Sequence, residues 1–281
     1  MDYVLPADIV SDALRAGEKK AGLTITDMLL RGALAGVFLA FATSLVFVAL
    51  AQGLPPLTGA IIFPVGFVML VLLGLELVTG NFALLPGAWM DRRVSTGAML
   101  RNWMWVYVGN LLGSLLYALL FWAALTSFGA NNGGALGDQL RQVAQKKTLV
   151  YAALGGSGWA TAFVKGILCN WMVTVGAMLA FASKSTAGKI LAMWLPITTF
   201  FAQGYEHSVV NMFVVPAGMI LGAKVTVVQW WVWNQIPVTL GNIVGGGVCT
   251  GIALWYTFAR KRERLEKVSD ASPTPMVAKA G

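Results

Sequence analysis

Along this chain, apolar runs of bilayer length are separated by short polar or turn-rich breaks, and runs that long predict membrane-spanning helices. The first extends from Thr26 to Ala51 and carries Gly32 and Gly36, spaced for close helix contact. After the turn Gln52-Gly53-Leu54-Pro55-Pro56, a second run starts near Gly59, meets polar positions from Glu76 to Asn81, and resumes from Phe82 to Met90. An unbroken helix from Gly59 to Met90 would overshoot a hydrocarbon core of about 30 Å, so the pattern predicts a helix, a kink and a half-helix. Further runs cover about Trp103 to Leu125, Trp159 to Ala182, Ile190 to Leu221 and Val232 to Phe258, and the fifth is broken between Gln203 and Asn211. The expected fold is an all-α integral membrane protein of six transmembrane helices, the second and fifth broken.

The two breaks resemble each other. Gly74-Leu75-Glu76-Leu77-Val78-Thr79-Gly80-Asn81 and Gly204-Tyr205-Glu206-His207-Ser208-Val209-Val210-Asn211 both contain Glu-x-x-x-x-Asn, 130 positions apart. Arg31-Gly32 recurs as Lys165-Gly166 after 134 positions, and Gly109-Asn110-x-x-Gly113 recurs as Gly241-Asn242-x-x-Gly245 after 132. Three coincidences in the same order suggest an internal duplication. Residues 26–126 form the first expected repeat and 151–259 the second. Three spans per repeat is an odd number, so the second repeat is expected upside down relative to the first, with the unwound backbone lining a cavity or buried in protein near the midplane.

The remaining segments are polar. Residues 1–25 mix Asp2, Asp8, Asp12, Arg15, Glu18, Lys19 and Lys20 with isolated apolar positions and read as an amphipathic helix at a membrane surface. Residues 127–150 form the longest loop, with Asn131-Asn132-Gly133-Gly134 at its tip. Residues 260–281 are basic, then rich in Ser, Pro, Ala and Lys, and are expected to be a disordered tail.

Composition agrees: hydrophobic residues make up 57% of the chain and charged ones 11%, and the mean hydropathy is +0.72, which argues against a water-soluble globule. The formal charge of +8 sits at the ends of apolar runs and in the tail, with no aromatic-interleaved patch, so it marks topology and not nucleic acid. Six spans put both termini on one side, and the excess of Lys and Arg on that side expects both in the cytoplasm. The beginning of the chain lacks a basic region, apolar core and cleavage site in succession, so no removable signal peptide is expected. Cys169 and Cys249 lie inside apolar runs and read as small buried residues.

Candidate chemistry collects at the breaks. His207, the only histidine, stands in an apolar run, and ionisable groups at membrane depth mark pathways or sites. Its side chain titrates near neutral pH, so it can present a proton donor to a small anion or share its proton with one. Thr79 in the facing kink is a second donor. Glu76 and Glu206 are expected to tie the unwound loops by accepting hydrogen bonds, and Asn81, Asn170 and Asn211 to hold loops or line the pore. Phe63 and Phe67, four apart on one helical face, and Phe200, seven before His207, are candidate apolar constrictions.

With these residues assembled, the chain resembles the formate/nitrite transporter family of bacterial anion channels. The motifs are Glu76-Leu77-Val78-Thr79, Asn110-Leu111-Leu112-Gly113, Lys165-Gly166-Ile167-Leu168-Cys169-Asn170-Trp171, Gly204-Tyr205-Glu206-His207-Ser208 with Asn211-Met212, and Ile236-Pro237-Val238-Thr239-Leu240-Gly241-Asn242, over about residues 15 to 260. The resemblance implies an aquaporin-like fold in the inner membrane, assembled as a homopentamer with one pore per protomer, no cofactor, and conduction of formate, nitrite and similar weak-acid anions. It implies a substrate pore of His207, Thr79, Asn170 and Glu206, and constrictions of Phe63, Phe67, Leu77, Val78 and Phe200. One position departs: the family usually carries a lysine sixteen residues before the asparagine matching Asn170, where this chain has Leu154. Lys147, seven residues earlier, takes that role or the charge is absent.

Two other readings fare worse. A neutral-solute pore of the water or glycerol type is opposed by the absence of an Asn-Pro-Ala pair and by His207. A redox enzyme needs haem or metal ligands, which one histidine and two separated cysteines do not supply. Formate, nitrite, hydrosulfide, acetate and lactate remain open as substrates, as do passive conduction and proton symport.

Overall fold

The computed structural model describes residues 2–260, and the expected disordered tail lies outside them from residue 261 onward. The described residues are helical apart from turns, and the single β-bridge joins Tyr3 to Ser183. Helix α1 (Pro6–Ala21) is followed by α2 (Ile25–Ala51), α3 (Pro56–Ile62), α4 (Pro64–Leu72), α5 (Val78–Met90) and α6 (Thr96–Thr126). Then come α7 (Gly134–Lys146), α8 (Leu149–Ala153), α9 (Gly156–Leu179), α10 (Thr186–Ala202) and α11 (Ser208–Ile220). A last helix, Val227–Ala259, contains π turns at Trp231–Gln235, Gly247–Ile252 and Trp255–Ala259. Among the described residues, four helices are long and apolar enough to cross a membrane: α2, α6, α9 and the last one. The shorter apolar helices are 56–72, α10 and α11.

Glycine at helix contacts sets the packing. A Cβ on Gly113 would overlap the carbonyl of Ala33, and one on Gly241 would overlap that of Phe163, so α2 meets α6 and α9 meets the last helix backbone to backbone. The broken segments fit between these pairs. Both half-helices, α5 and α11, have thirteen residues and carry a proline at their ninth position, Pro86 and Pro216.

Three expectations shift in detail. The kinks are shorter than the polar stretches suggested: residues 73–77 and 203–207 are unwound, and Thr79, Asn81, Ser208 and Asn211 already belong to the half-helices. The reason is that side chains from other helices cap the first backbone N–H groups, so each helix starts early. The polar segment 127–150 contains helix α7, whose Leu140 and Ala144 are buried against α11; a Cβ on Gly218 would strike Ala144. Helix α1 packs Val10, Ala13, Leu14 and Gly17 against protein, with Gly17 tight on the carbonyl of Leu84 in α5. Its first residues are tied down as well: the Asp2 carboxylate accepts from the backbone N–H groups of Lys184 and Ser185 at 2.8 Å each and from the Ser183 hydroxyl at 2.7 Å.

Candidate functional site

The centre is built from two breaks that match group for group. Gly74 and Gly204 each turn the chain at φ +66°, a conformation glycine adopts without steric cost. Past each glycine, the backbone N–H of the glutamate donates to a neighbouring helix: Glu76 to the Arg31 carbonyl and Glu206 to the Lys165 carbonyl, both at 3.4 Å. An asparagine then secures each half-helix. Asn110 Oδ1 accepts from the N–H of Val78 at 2.9 Å, and its Nδ2 donates to the carbonyls of Gly32 and Glu76 at 2.8 Å each. Asn242 repeats this: its Oδ1 accepts from Ser208 N–H at 2.9 Å, and its Nδ2 donates to Gly166 at 2.8 Å and Glu206 at 3.0 Å. Unwound backbone buried in an apolar protein needs such partners for every polar group.

The glutamate side chains face lysines on opposite sides of the centre. Glu76 Oε1 pairs with Lys20 Nζ of α1 at 2.6 Å and its Oε2 accepts from Asn81 at 2.8 Å. Asn81 also donates to Asn102, and Asn102 donates to the Lys20 carbonyl. Glu206 Oε2 pairs with Lys147 Nζ at 2.7 Å and accepts from Asn211 at 2.8 Å, and Asn234 donates to the Lys147 carbonyl at 3.0 Å. Both carboxylates are buried, so each relies on its ammonium partner and hydrogen-bond donors to offset lost hydration.

Between the breaks, Thr79 and His207 meet. His207 is the N-cap of α11, and its Nδ1 accepts from the Val210 N–H at 3.2 Å. A nitrogen that accepts from a backbone N–H carries no proton, so the proton of the neutral ring sits on Nε2, which donates to Thr79 Oγ1 at 3.0 Å. The threonine hydroxyl proton is thereby left for another acceptor. Asn170 stands alongside, donating from Nδ2 to the carbonyls of Thr79 at 3.0 Å and Asn242 at 2.6 Å, while its buried Oδ1 has no partner among the described residues. The N-termini of α5 and α11 both begin here, bringing the positive ends of two helix dipoles to one place.

Apolar side chains close the centre. The Phe200 ring lies over His207 at a centroid distance of 5.9 Å, and Phe63 packs edge-on against Phe200 at 5.8 Å and stacks on Phe201 at 4.0 Å. Two cavities flank the closure. One, of about 200 Å³, is bordered by Phe200, Phe201, His207 and Lys147. The other, of about 410 Å³, is bordered by Phe67, Leu77, Lys20 and Lys189. Thr79, Val78 and Phe63 border neither and are buried between them.

All twelve site residues singled out from the sequence thus lie at or around one centre. Lys147 lines the cavity beside His207, while Leu154 is half exposed after α8, away from it. Residues with no assigned role in the sequence reading are Lys20, Asn102, Asn110, Tyr151, Asn234 and Asn242. The 132-position offset that relates Asn110 to Asn242 also relates Asn102 to Asn234, and it is the signal that could have found that second pair.

Comparison with known proteins gives a concordant picture. The formate/nitrite transporter family matches over residues 7–256. A probable formate transporter from Methanothermobacter thermautotrophicus is 36% identical over 273 residues, covering 91% of this chain and 97% of its own. The formate channel FocA of Escherichia coli K12 is 31% identical over 286 residues, covering 93% and 97%. A solved pentameric formate channel with formate bound superposes with a TM-score of 0.70 at 28% identity, over 84% of this chain and 98% of the other.

Proposed function

Because the chain belongs to the formate/nitrite transporter family, we propose that it is a pentameric membrane channel for small monovalent weak-acid anions, with formate as principal substrate and nitrite sharing the path. In this reading it is a transport protein and not an enzyme, and each protomer contributes one pore. Six spans form two inverted three-helix repeats in an aquaporin-like arrangement, in the inner membrane of a bacterium, with both termini in the cytoplasm. The matched hydrogen bonds of Asn110 and Asn242, and of Glu76 and Glu206, support the repeat.

The observation that carries the proposal is the Thr79–His207 hydrogen bond, set at the N-termini of two half-helices, with the Phe200 ring against His207 and Thr79 bordering neither cavity. An anion drawn to Lys147 or Lys20 sheds water against the apolar walls, a step whose Coulomb cost is severe for a bare charge. At the centre it accepts hydrogen bonds from His207 Nε2–H and the Thr79 hydroxyl while two positive dipole ends face it. His207 acts there as a neutral donor. Charging the ring would put a proton on Nδ1 and set it against the Val210 N–H, beside two positive helix ends. A neutral imidazole has no spare proton to give, so the anion held at the centre takes its proton from water in the cavity that His207 borders, the hydroxide left there is neutralised by a proton from the external solution, and the neutral acid crosses, which makes transport proton-coupled. Lys147, in this account, supplies the vestibule charge that the family carries at the position of Leu154.

The test is uptake of labelled formate into proteoliposomes at two external pH values, with unlabelled nitrite, hydrosulfide, acetate and lactate as competitors. Uptake that rises as external pH falls and is suppressed by nitrite supports the proposal. No uptake at either pH by intact pentamer refutes formate as substrate, and inhibition by lactate or hydrosulfide alone moves the assignment to that acid.

A further inference from the structure

The two mouths share a glutamate, a lysine and an asparagine but differ in what else reaches the carboxylate. Glu76 takes Lys20 on Oε1 and Asn81 on Oε2, and among the described residues no hydroxyl stands against it. Glu206 takes Lys147 and Asn211 on Oε2, with Asn234 more distant at 3.5 Å, and its Oε1 accepts from the Tyr151 hydroxyl at 2.9 Å. Tyr151 comes from α8, the short helix between Lys147 and α9, and is buried. Its placement is tight: a Cβ on Gly158 would overlap the Tyr151 carbonyl, so α9 begins against the backbone that holds the phenol. On the ring face, Lys165 Nζ lies 5.9 Å from the centroid, and a cation over the π system strengthens the phenol as a donor.

We propose that Tyr151 is a positioning residue for anion capture at the Lys147 mouth: by donating to Oε1 of Glu206 it weakens that carboxylate's hold on Lys147 and leaves the ammonium available to an incoming anion. The inference rests on the channel reading above. A carboxylate shared among several donors is a poorer partner for each of them, because its charge is spread over more bonds. Without the phenol, Glu206 holds Lys147 more firmly and the mouth is more negative, both of which repel an anion. The opposite mouth has no such adjustment, so the two differ in affinity though not in overall design. The Tyr151 hydroxyl bonds to Glu206 and not to Thr79 or His207, so its effect falls on capture and not on passage between those two.

The experiment uses the full-length pentamer in sided membrane vesicles, with initial rates of labelled formate flux measured against concentration from each face. Tyr151→Phe keeps the ring and removes the hydroxyl. It is expected to raise the half-saturating formate concentration at the Lys147 face by roughly five- to tenfold, a fraction of what a charge-assisted hydrogen bond is worth directly, with the maximal rate and the Lys20 face unchanged. In a Lys147→Gln background the same substitution is expected to add nothing, because its route runs through that ammonium. Equal change at both faces, no change at either, a lower half-saturating concentration, or full additivity with Lys147→Gln overturns the inference. An unsubstituted channel that carries no formate overturns the channel reading and this inference together, an outcome distinct from active channel with an inert Tyr151→Phe.

Discussion

Replacing His207 separates its two hydrogen bonds. Nδ1 caps α11 by accepting from Val210 N–H, and Nε2–H points to Thr79 and, in the proposed channel, to the anion. His207→Asn keeps a cap, since an asparagine oxygen at that position can accept from the same N–H, but loses the reach of Nε2. His207→Ala loses both. The lost donor to a charged acceptor is worth about 1.5–3 kcal/mol, which lowers formate flux by roughly 10- to 150-fold in either variant. Only the alanine variant also loses about 1 kcal/mol of stability from the missing cap. Tracer flux in proteoliposomes of matched pentamer content reads the first effect, and unfolding in mixed detergent micelles reads the second. In both variants the residual flux is expected still to rise as external pH falls, because the proposal draws the proton from water and not from the ring. A His207→Asn channel conducting within about threefold of the unsubstituted protein would refute the donor role, since that is less than 1 kcal/mol. Loss of all pH dependence would show instead that the ring itself carries the transported proton.

Three further outcomes are expected. Lys147→Gln and Lys20→Gln each leave a buried carboxylate without its cation, so each is expected to lower formate affinity at its own face and to destabilise the protein by about 3–5 kcal/mol, checked by sided flux and micelle unfolding. Asn110→Ala and Asn242→Ala each abandon three bonds to buried backbone groups, costing about 3–4 kcal/mol apiece, and closely similar losses for the two are the signature of matched repeats; a loss under about 1 kcal/mol in either contradicts it. The Asp2 carboxyl is held down to about 2, chiefly by the Ser183 hydroxyl and then the Ser185 N–H. A folded value below the ordinary 3.8 means that its contribution is present above that value and lost only as pH falls toward about 2. Amide exchange at Lys184 and Ser185 should therefore stay slow from about pH 5 to 8 and quicken in Asp2→Asn.

The sequence carried much of this because membrane helices announce themselves by length and hydropathy, and the kinks by their polar residues. Glu76, Asn81, Glu206 and Asn211 could be paired from spacing alone, and so could Asn110 with Asn242. The exact start of each half-helix was not legible, because it depends on Asn110 and Asn242 reaching in from helices distant in the chain. Helix α7 was missed for a similar reason: its composition is polar, and only the packing of Leu140 and Ala144 beneath α11 makes it helical. By sequence Lys20 is one charge among several on an amphipathic helix, and only the packing of α1 on α5 brings its ammonium to Glu76. Tyr151 carries no motif at all, and its role depends on a hydroxyl meeting Glu206 across 55 positions of chain.

Because the chain has a single histidine, its ring can be observed alone. Solid-state NMR of the untagged protein in lipid, with ¹⁵N-labelled histidine and ¹³C-formate, tests directly whether the anion reaches the centre. The account predicts a neutral ring protonated at Nε2 and bare at Nδ1, with the formate carbon within about 4 Å of Nε2, the reach of one hydrogen bond to a carboxylate oxygen. A ring protonated at Nδ1, or formate that shows no contact with Nε2 at saturating concentration, would contradict it.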